Sequence, residues 1–498
     1  MLNTIGKLLE AILAKRLSAA LEEHKLLPES QMGARKGRST VTALQLLTEQ
    51  IHTIWGAKKN QVASMLCLDM VGAYDHVSHA RLLYILKCKG CPDWLLKWIE
   101  SMLCGRTTTI NLNGWFSRTF SIKAGVPQGG SLSSILFVLY NAELVEMCTN
   151  PLLRTSSLAF VDDLNILVYS SSTAENCRRL ERAHEKCQEW ARRHGAKFSP
   201  EKYELIHFTR SRRTDLHKAV RIEGETCPPK AEVRVLGVQV DPKLLWRPHI
   251  NSVKKKVTGQ MRSLTTITGS TWGTCFAWAR RIYTAVVRPT MTYAAPVWYA
   301  TTSTGKGKKW MQRELAKIQN EGLRRVLGAY RATSIPVLEN EAQVPPIELV
   351  LDKTVLDHQR RQQGTTGQQT VENFCRRIRK NLQRRQRQRP NTLERPNHQP
   401  GQGENTWRTL QEKWKQKWES YRRTHVDGPP ATADLKAKEI LKMRSQLPRR
   451  ETTMATLVRS ECIGLRAFLH KRRVPGFDNP AWRTPNSQAY NHVLHEVG

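Results

Sequence analysis

Carboxylates are scarce in this chain: 43 Asp and Glu face 79 Lys and Arg over 498 residues, giving a net charge of +36 and a pI near 10.1. A surface this positive attracts phosphate backbones and releases their counterions, which points to a nucleic-acid partner without saying which. Long hydrophobic runs are also missing: no apolar stretch approaches the roughly 20 residues of a membrane-spanning helix, so no membrane partner is expected. The 11 cysteines are scattered, as in a reduced intracellular chain, which argues against a disulfide scaffold. Cys88 and Cys91 form one Cys-x-x-Cys pair, but no second pair of matching spacing follows. The tail holds a single cysteine, Cys462, with His492 near its end and no Cys-x-x-Cys spacing, so no zinc is expected.

Against this background the few acids stand out. Asp162 and Asp163 sit side by side in Ser157-Leu-Ala-Phe-Val-Asp-Asp-Leu-Asn-Ile-Leu-Val168, the only polar break in an apolar run. The pattern predicts a buried β-hairpin with two carboxylates at its tip. Like charges so placed in a dry hairpin call for a hard divalent cation. A third acid, Asp69, ends the apolar run Met65-Leu-Cys-Leu68 and leads into Val71-Gly-Ala-Tyr-Asp-His-Val77, the pattern of a buried strand feeding a turn and helix. Two acid-tipped strands meeting in one sheet would suit nucleotide joining, in which carboxylate-held metal ions clamp an in-line displacement. Taken alone, Asp-Asp is as compatible with a plain turn; the apolar flanks and Asp69 favour the site.

Between these acids lies Gly125-Val-Pro-Gln-Gly-Gly-Ser-Leu-Ser-Ser-Ile-Leu-Phe137, and here the chain resembles the reverse transcriptases of non-LTR, LINE-like retrotransposons, fungal ones in particular. The resemblance runs in order through residues 1–350. Gln31-Met-Gly-Ala-Arg-Lys-Gly-Arg-Ser-Thr40 is similar to the fingers motif and Leu68 to Val77 to the first palm motif. Phe160 to Asp163 resembles the catalytic palm hairpin, Lys197 to Phe208 the lysine-bearing motif, and Val235-Leu-Gly-Val238 the primer grip, with Leu236 and Gly237 at its tip. Ile318 to Tyr330 and Glu339 to Pro346 resemble thumb and post-thumb segments. The resemblance implies an α+β right-hand polymerase, with fingers and palm over 1–240 and a helical thumb and post-thumb over 241–350. Beyond it, a Gln, Arg, Pro and Asn-rich composition that includes the arginine run 384–389 suggests a flexible or partly helical basic linker over 351–406, followed by a helical remnant over 407–498.

It also implies roles. Asp69, Asp162 and Asp163 would be catalytic and hold two magnesium ions, with manganese as a substitute and the Met70 carbonyl as a further ligand. Tyr74 would lie under the sugar of an incoming deoxynucleoside triphosphate and exclude a 2′-hydroxyl, which disfavours an RNA polymerase. Gln128 would touch template base or nucleotide, with Gly125 and Gly129 allowing close approach. Arg35, Lys36 and Arg38 are candidates for the triphosphate or template, and Lys202 for protonating the leaving pyrophosphate. RNA template and DNA primer are the implied partners, the nucleus the implied compartment, with mitochondria left open.

The chain departs from the family pattern at Gly130, Ser131 and Ser134, where Ser-Pro and a second Pro are usual; losing two prolines predicts a less rigid loop. Leu9, Ile12, Leu13, Leu17 and Leu21 give the opening segment an amphipathic helical face, and Glu10, Glu22 and Glu23 argue against a mitochondrial presequence. The abrupt ends suggest a fragment of a larger reading frame, with neither endonuclease nor RNase H evident. A catalytically inactive nucleic-acid-binding remnant is therefore the alternative.

Overall fold

The apolar run Val62–Leu68 forms the inner strand of a four-stranded antiparallel sheet, between Asp163–Ser170 on one side and Glu204–Phe208 on the other. Thr155–Phe160 completes the sheet as the hairpin partner of Asp163–Ser170. Although Ser64 interrupts the run, it is buried too, its hydroxyl 2.7 Å from His207 Nδ1, so the strand is covered on both faces. Leu66, Leu68, Leu164, Ile166 and Val168 share a core with Leu180, Cys187 and Trp190 of the Thr173–His194 helix. The alternate residues face the opposite side, and the Thr40–Ala57 helix also packs on the sheet. That helix starts at Ser39, whose hydroxyl accepts from the Thr42 amide at 3.1 Å, and buries Leu44, Leu47, Ile51 and Ile54.

The computed structural model describes residues 4–211, 214–299, 309–383, 406–424 and 437–460. They fall into two units, Met1–Trp246 with Arg361–Asn397, and Arg247–Arg360 with His398–Gly498. The first is the α+β part. Every regular element among the second unit's described residues is a helix, and Lys309–Leu327 packs against Arg247–Thr265 and Ile335–Ala342. Within it, Arg444 lies fully buried against Glu341, which also receives Arg459 at 2.8 Å. Among the described residues, no helix is long and apolar enough to cross a membrane.

The linker expected over 351–406 is corrected in its described part. Thr366–Gln383 is a helix that packs on Thr40–Ala57 and buries Phe374, Cys375, Ile378 and Leu382. Its apolar residues recur at helical spacing, and that stripe outweighs the basic composition that suggested a linker. The 384–389 arginine run, Cys462 and His492 lie outside the described residues. Within the second unit, Arg280 donates to the carbonyls of Ala342 and Gln343 at 2.7 and 2.9 Å, and Lys254 pairs with Glu314.

Candidate active site

Register brings the acids together. Val62 pairs with Ser170 and Leu68 with Leu164, so the next position sets Asp69 opposite Asp163. Phe160 pairs with Asp163, leaving Val161 and Asp162 as the two central residues of the hairpin turn. Asp162 and Asp163 are exposed at this tip, not enclosed as the dry hairpin predicted, while the strands behind them are buried. Even so, the Asp163 carboxyl is held above the usual carboxylate range, first by desolvation and then by the charges of Asp162 and Asp69. Three fields crossing at one carboxyl are what a hard divalent cation would relieve, and an all-oxygen donor set suits such an ion. Among the described residues, no three His, Cys, Asp or Glu side chains are gathered closely enough to enclose an ion as they stand. Lys202 occupies part of this space, its Nζ 3.1 Å from Asp69 Oδ2.

The turn itself is strained. Val161 has φ +60°, a left-handed backbone that β-branched residues rarely adopt, and type II′ turns place glycine at this position. Two contacts hold it. Asn141 Nδ2 donates to the Val161 carbonyl at 2.7 Å, and a Cβ on Gly33 would lie 2.6 Å from the Val161 amide nitrogen. Gly33 follows the segment that lines the sheet edge, where the Met32 amide donates to the Ala159 carbonyl at 2.8 Å. The fingers-like motif therefore abuts the Asp162–Asp163 hairpin directly.

Its arginines are committed elsewhere. Arg35 is nearly buried and donates to both carboxylate oxygens of Glu22 at 2.6 and 2.7 Å and to the Pro28 carbonyl at 2.6 Å. Burial pushes the Glu22 carboxyl up, but the bonds and charge of Arg35 more than offset it and leave it lowered. Arg38 binds the carbonyls of Glu29 and Gln31, with its guanidinium depressed to about 10 chiefly by burial. Both arginines thus bond within the 28–38 loop and its neighbour Glu22, while Lys36 is exposed.

Met70 bridges Phe198: the bonds of this bridge run from the Ser199 amide to the Asp69 carbonyl and from the Val71 amide to the Lys197 carbonyl, either side of Met70. Tyr74 stacks on Phe137 with centroids 5.0 Å apart and reaches the Ser134 hydroxyl at 3.3 Å. Gly125, φ +88°, passes so close to the Asp75 backbone that a Cβ would lie 2.9 Å from its carbonyl; this close approach serves the protein's own turn. Gly129, φ +86°, opens onto free space beside exposed Gln128. Leu236 and Gly237 form the two-residue turn of a hairpin, with φ +44° and +84°, so Gly237 is a backbone requirement, as its sequence suggested.

One residue the sequence did not offer is Glu10. It is buried, and its Oε1 accepts from the Leu132 amide at 3.0 Å, where the Ser133–Tyr140 helix begins. A Cβ on Gly130 would stand 2.5 Å from that oxygen. Glycine in place of the usual serine therefore leaves room for an acid that restrains the loop from behind, which offsets the missing prolines.

Residues 1–240 match the family model for reverse transcriptase (RNA-dependent DNA polymerase). The chain is 25% identical over 331 residues to a probable RNA-directed DNA polymerase from transposon BS of Drosophila melanogaster, covering 66% of this chain and 35% of that protein. It is 26% identical to the RNA-directed DNA polymerase from mobile element jockey of Drosophila funebris, over 70% of this chain and 37% of that one. It thus spans about a third of the length of these relatives. Among solved structures, apo telomerase from Candida tropicalis aligns with TM-score 0.36 at 15% identity, over 74% of this chain and 61% of that one. Members of the matched family generally use divalent metal ions. Residues 1–240 thus carry a reverse transcriptase (RNA-dependent DNA polymerase) domain, and the chain around it is similar to the RNA-directed DNA polymerases of retrotransposable elements.

Proposed function

We propose that this chain copies RNA into DNA by magnesium-dependent nucleotidyl transfer, extending a DNA primer with deoxynucleoside triphosphates. The observation that carries the reading is the register that sets Asp69 opposite Asp163 beside the Asp162 turn. Asp69, Asp162 and Asp163 would hold the ions, which when bound activate the primer hydroxyl and neutralise the triphosphate. Lys202, already at Asp69, is placed to donate a proton to the leaving pyrophosphate. Tyr74 is braced by Phe137 and Ser134, as a rigid steric gate would need to be. Replacing Tyr74 with Val should raise the ratio of ribonucleotide to deoxynucleotide incorporation; an unchanged ratio would remove the gate role. Primer extension on an RNA template with magnesium, abolished by a chelator and restored by added ion, tests the reading as a whole. The reading places the chain in the nucleus, where such elements insert.

A further inference from the structure

The acids, the Gly125 loop and Lys202 leave unused the segment that runs from Arg106 to Lys123. Thr107–Thr108 pairs with Phe120–Ser121, and Asn111–Leu112 with Trp115–Phe116, around a turn at Asn113 and Gly114 whose φ values are +50° and +87°. From Thr107 to Ser121 every residue but Ser117 is exposed, and Ile110, Leu112, Trp115 and Phe116 are each exposed by more than half. A two-stranded ribbon is marginal in water by itself. Leu112 and Trp115 are cross-strand partners on one face, with Ile110 two positions before Leu112, while Phe116 takes the other face, and apolar side chains so exposed mark a surface that something covers.

Charge indicates what. No Asp or Glu occurs between Glu100 and Glu143, whereas Arg106, Arg118 and Lys123 lie within the ribbon or at its base. The Arg118 guanidinium sits 5.5 Å over the Phe120 ring. Arg106 Nη1 donates to the Gly125 carbonyl at 2.9 Å, tying the ribbon's base to the loop that carries Gln128. Exposed planar rings in a segment that carries cations and no carboxylate of its own meet the requirements of a base-stacking platform.

We propose that the 107–121 ribbon is a docking surface for a single-stranded stretch of nucleic acid, with bases stacking on Trp115 and Phe116 and phosphates meeting Arg118 and Lys123. The inference rests on the polymerase reading only in taking nucleic acid as the partner.

The test titrates the full chain into two labelled RNA–DNA duplexes, one blunt and one with a single-stranded RNA overhang, comparing wild type with the double variant Trp115→Ala, Phe116→Ala and with Arg118→Ala. Stacking loss should weaken binding of the overhang duplex by about tenfold or more in the double variant, with the blunt duplex unchanged. These positions are exposed, so melting temperatures should match wild type, and Arg118→Ala reports independently of the rings. Equal loss on both duplexes, or none on the overhang, overturns the proposal. So does a double variant that binds the overhang normally but alters sedimentation of the free chain, which would assign the face to protein contact. Primer extension, run in parallel, judges the polymerase reading separately: synthesis without overhang dependence overturns only the ribbon, and overhang dependence without synthesis only the polymerase.

Discussion

Val161 shows how a single residue is held against its own preference. Its positive φ costs on the order of 1–3 kcal/mol and persists only where neighbours over-determine it; the Asn141 bond and the Gly33 contact do so here. Asn141→Ala should therefore loosen the turn that carries Asp162 and Asp163. Extension rate should fall between about tenfold and a hundredfold with template affinity little changed; steady-state kinetics showing an unaltered rate would mean that Asn141 does not position the acids. Glu339, in the second unit, makes a pH prediction. Burial, then the charge of Glu348, pushes its carboxyl up to about 8, although Gln319 donates to it at 3.3 Å. The folded state then keeps a proton that the unfolded chain releases near 4.3, so this group's contribution is fully present below that value. It is lost as pH rises through about 8, by at most about 1.4 kcal/mol per pH unit. Thermal melts from pH 5 to 8 should show a smaller decline for Glu339→Gln than for wild type, and parallel curves would contradict the assignment.

Among the elements, the Ser133–Tyr140 helix and the loop before it depend on a partner 122 positions away, Glu10, which accepts the Leu132 amide. Glu10→Ala should cost about 1 kcal/mol, as loss of a cap does, and Gly130→Ala about 1–3 kcal/mol through overpacking. Because the new methyl group would meet the Glu10 carboxylate, the double variant should cost less than the sum, and additive denaturation free energies would show that the two do not share the space. The sequence disclosed the acid-bearing strands because their apolar runs are local, and register then follows from which face is buried. It could not disclose Glu10, which lies on an amphipathic helix where an acid looks solvated, and is buried only because Gly130 leaves a gap for it. Nor could it disclose the partners of Arg35: the resemblance made it a candidate for triphosphate or template, and the structure adds bonds to Glu22 and to the Pro28 carbonyl that lie outside any local pattern.

In the whole molecule, the α+β unit and the helical unit match the fold class that the motif order implied, because motifs spaced through 1–240 fix one sheet. The residues after 350 were less legible: composition suggested a linker, whereas amphipathic periodicity returned Thr366–Gln383 to the first unit. The excess of positive charge favours nucleic acid at any surface, so binding alone would not distinguish a polymerase from an inactive remnant; synthesis would. The direct measurement is extension of a DNA primer on an RNA template with magnesium and deoxynucleoside triphosphates, by wild type and Asp162→Asn, with duplex affinity measured for both. We predict synthesis by wild type and a loss on the order of a thousandfold in the variant at similar affinity. Equal extension by both proteins, or none by wild type while the duplex stays bound, would contradict the account.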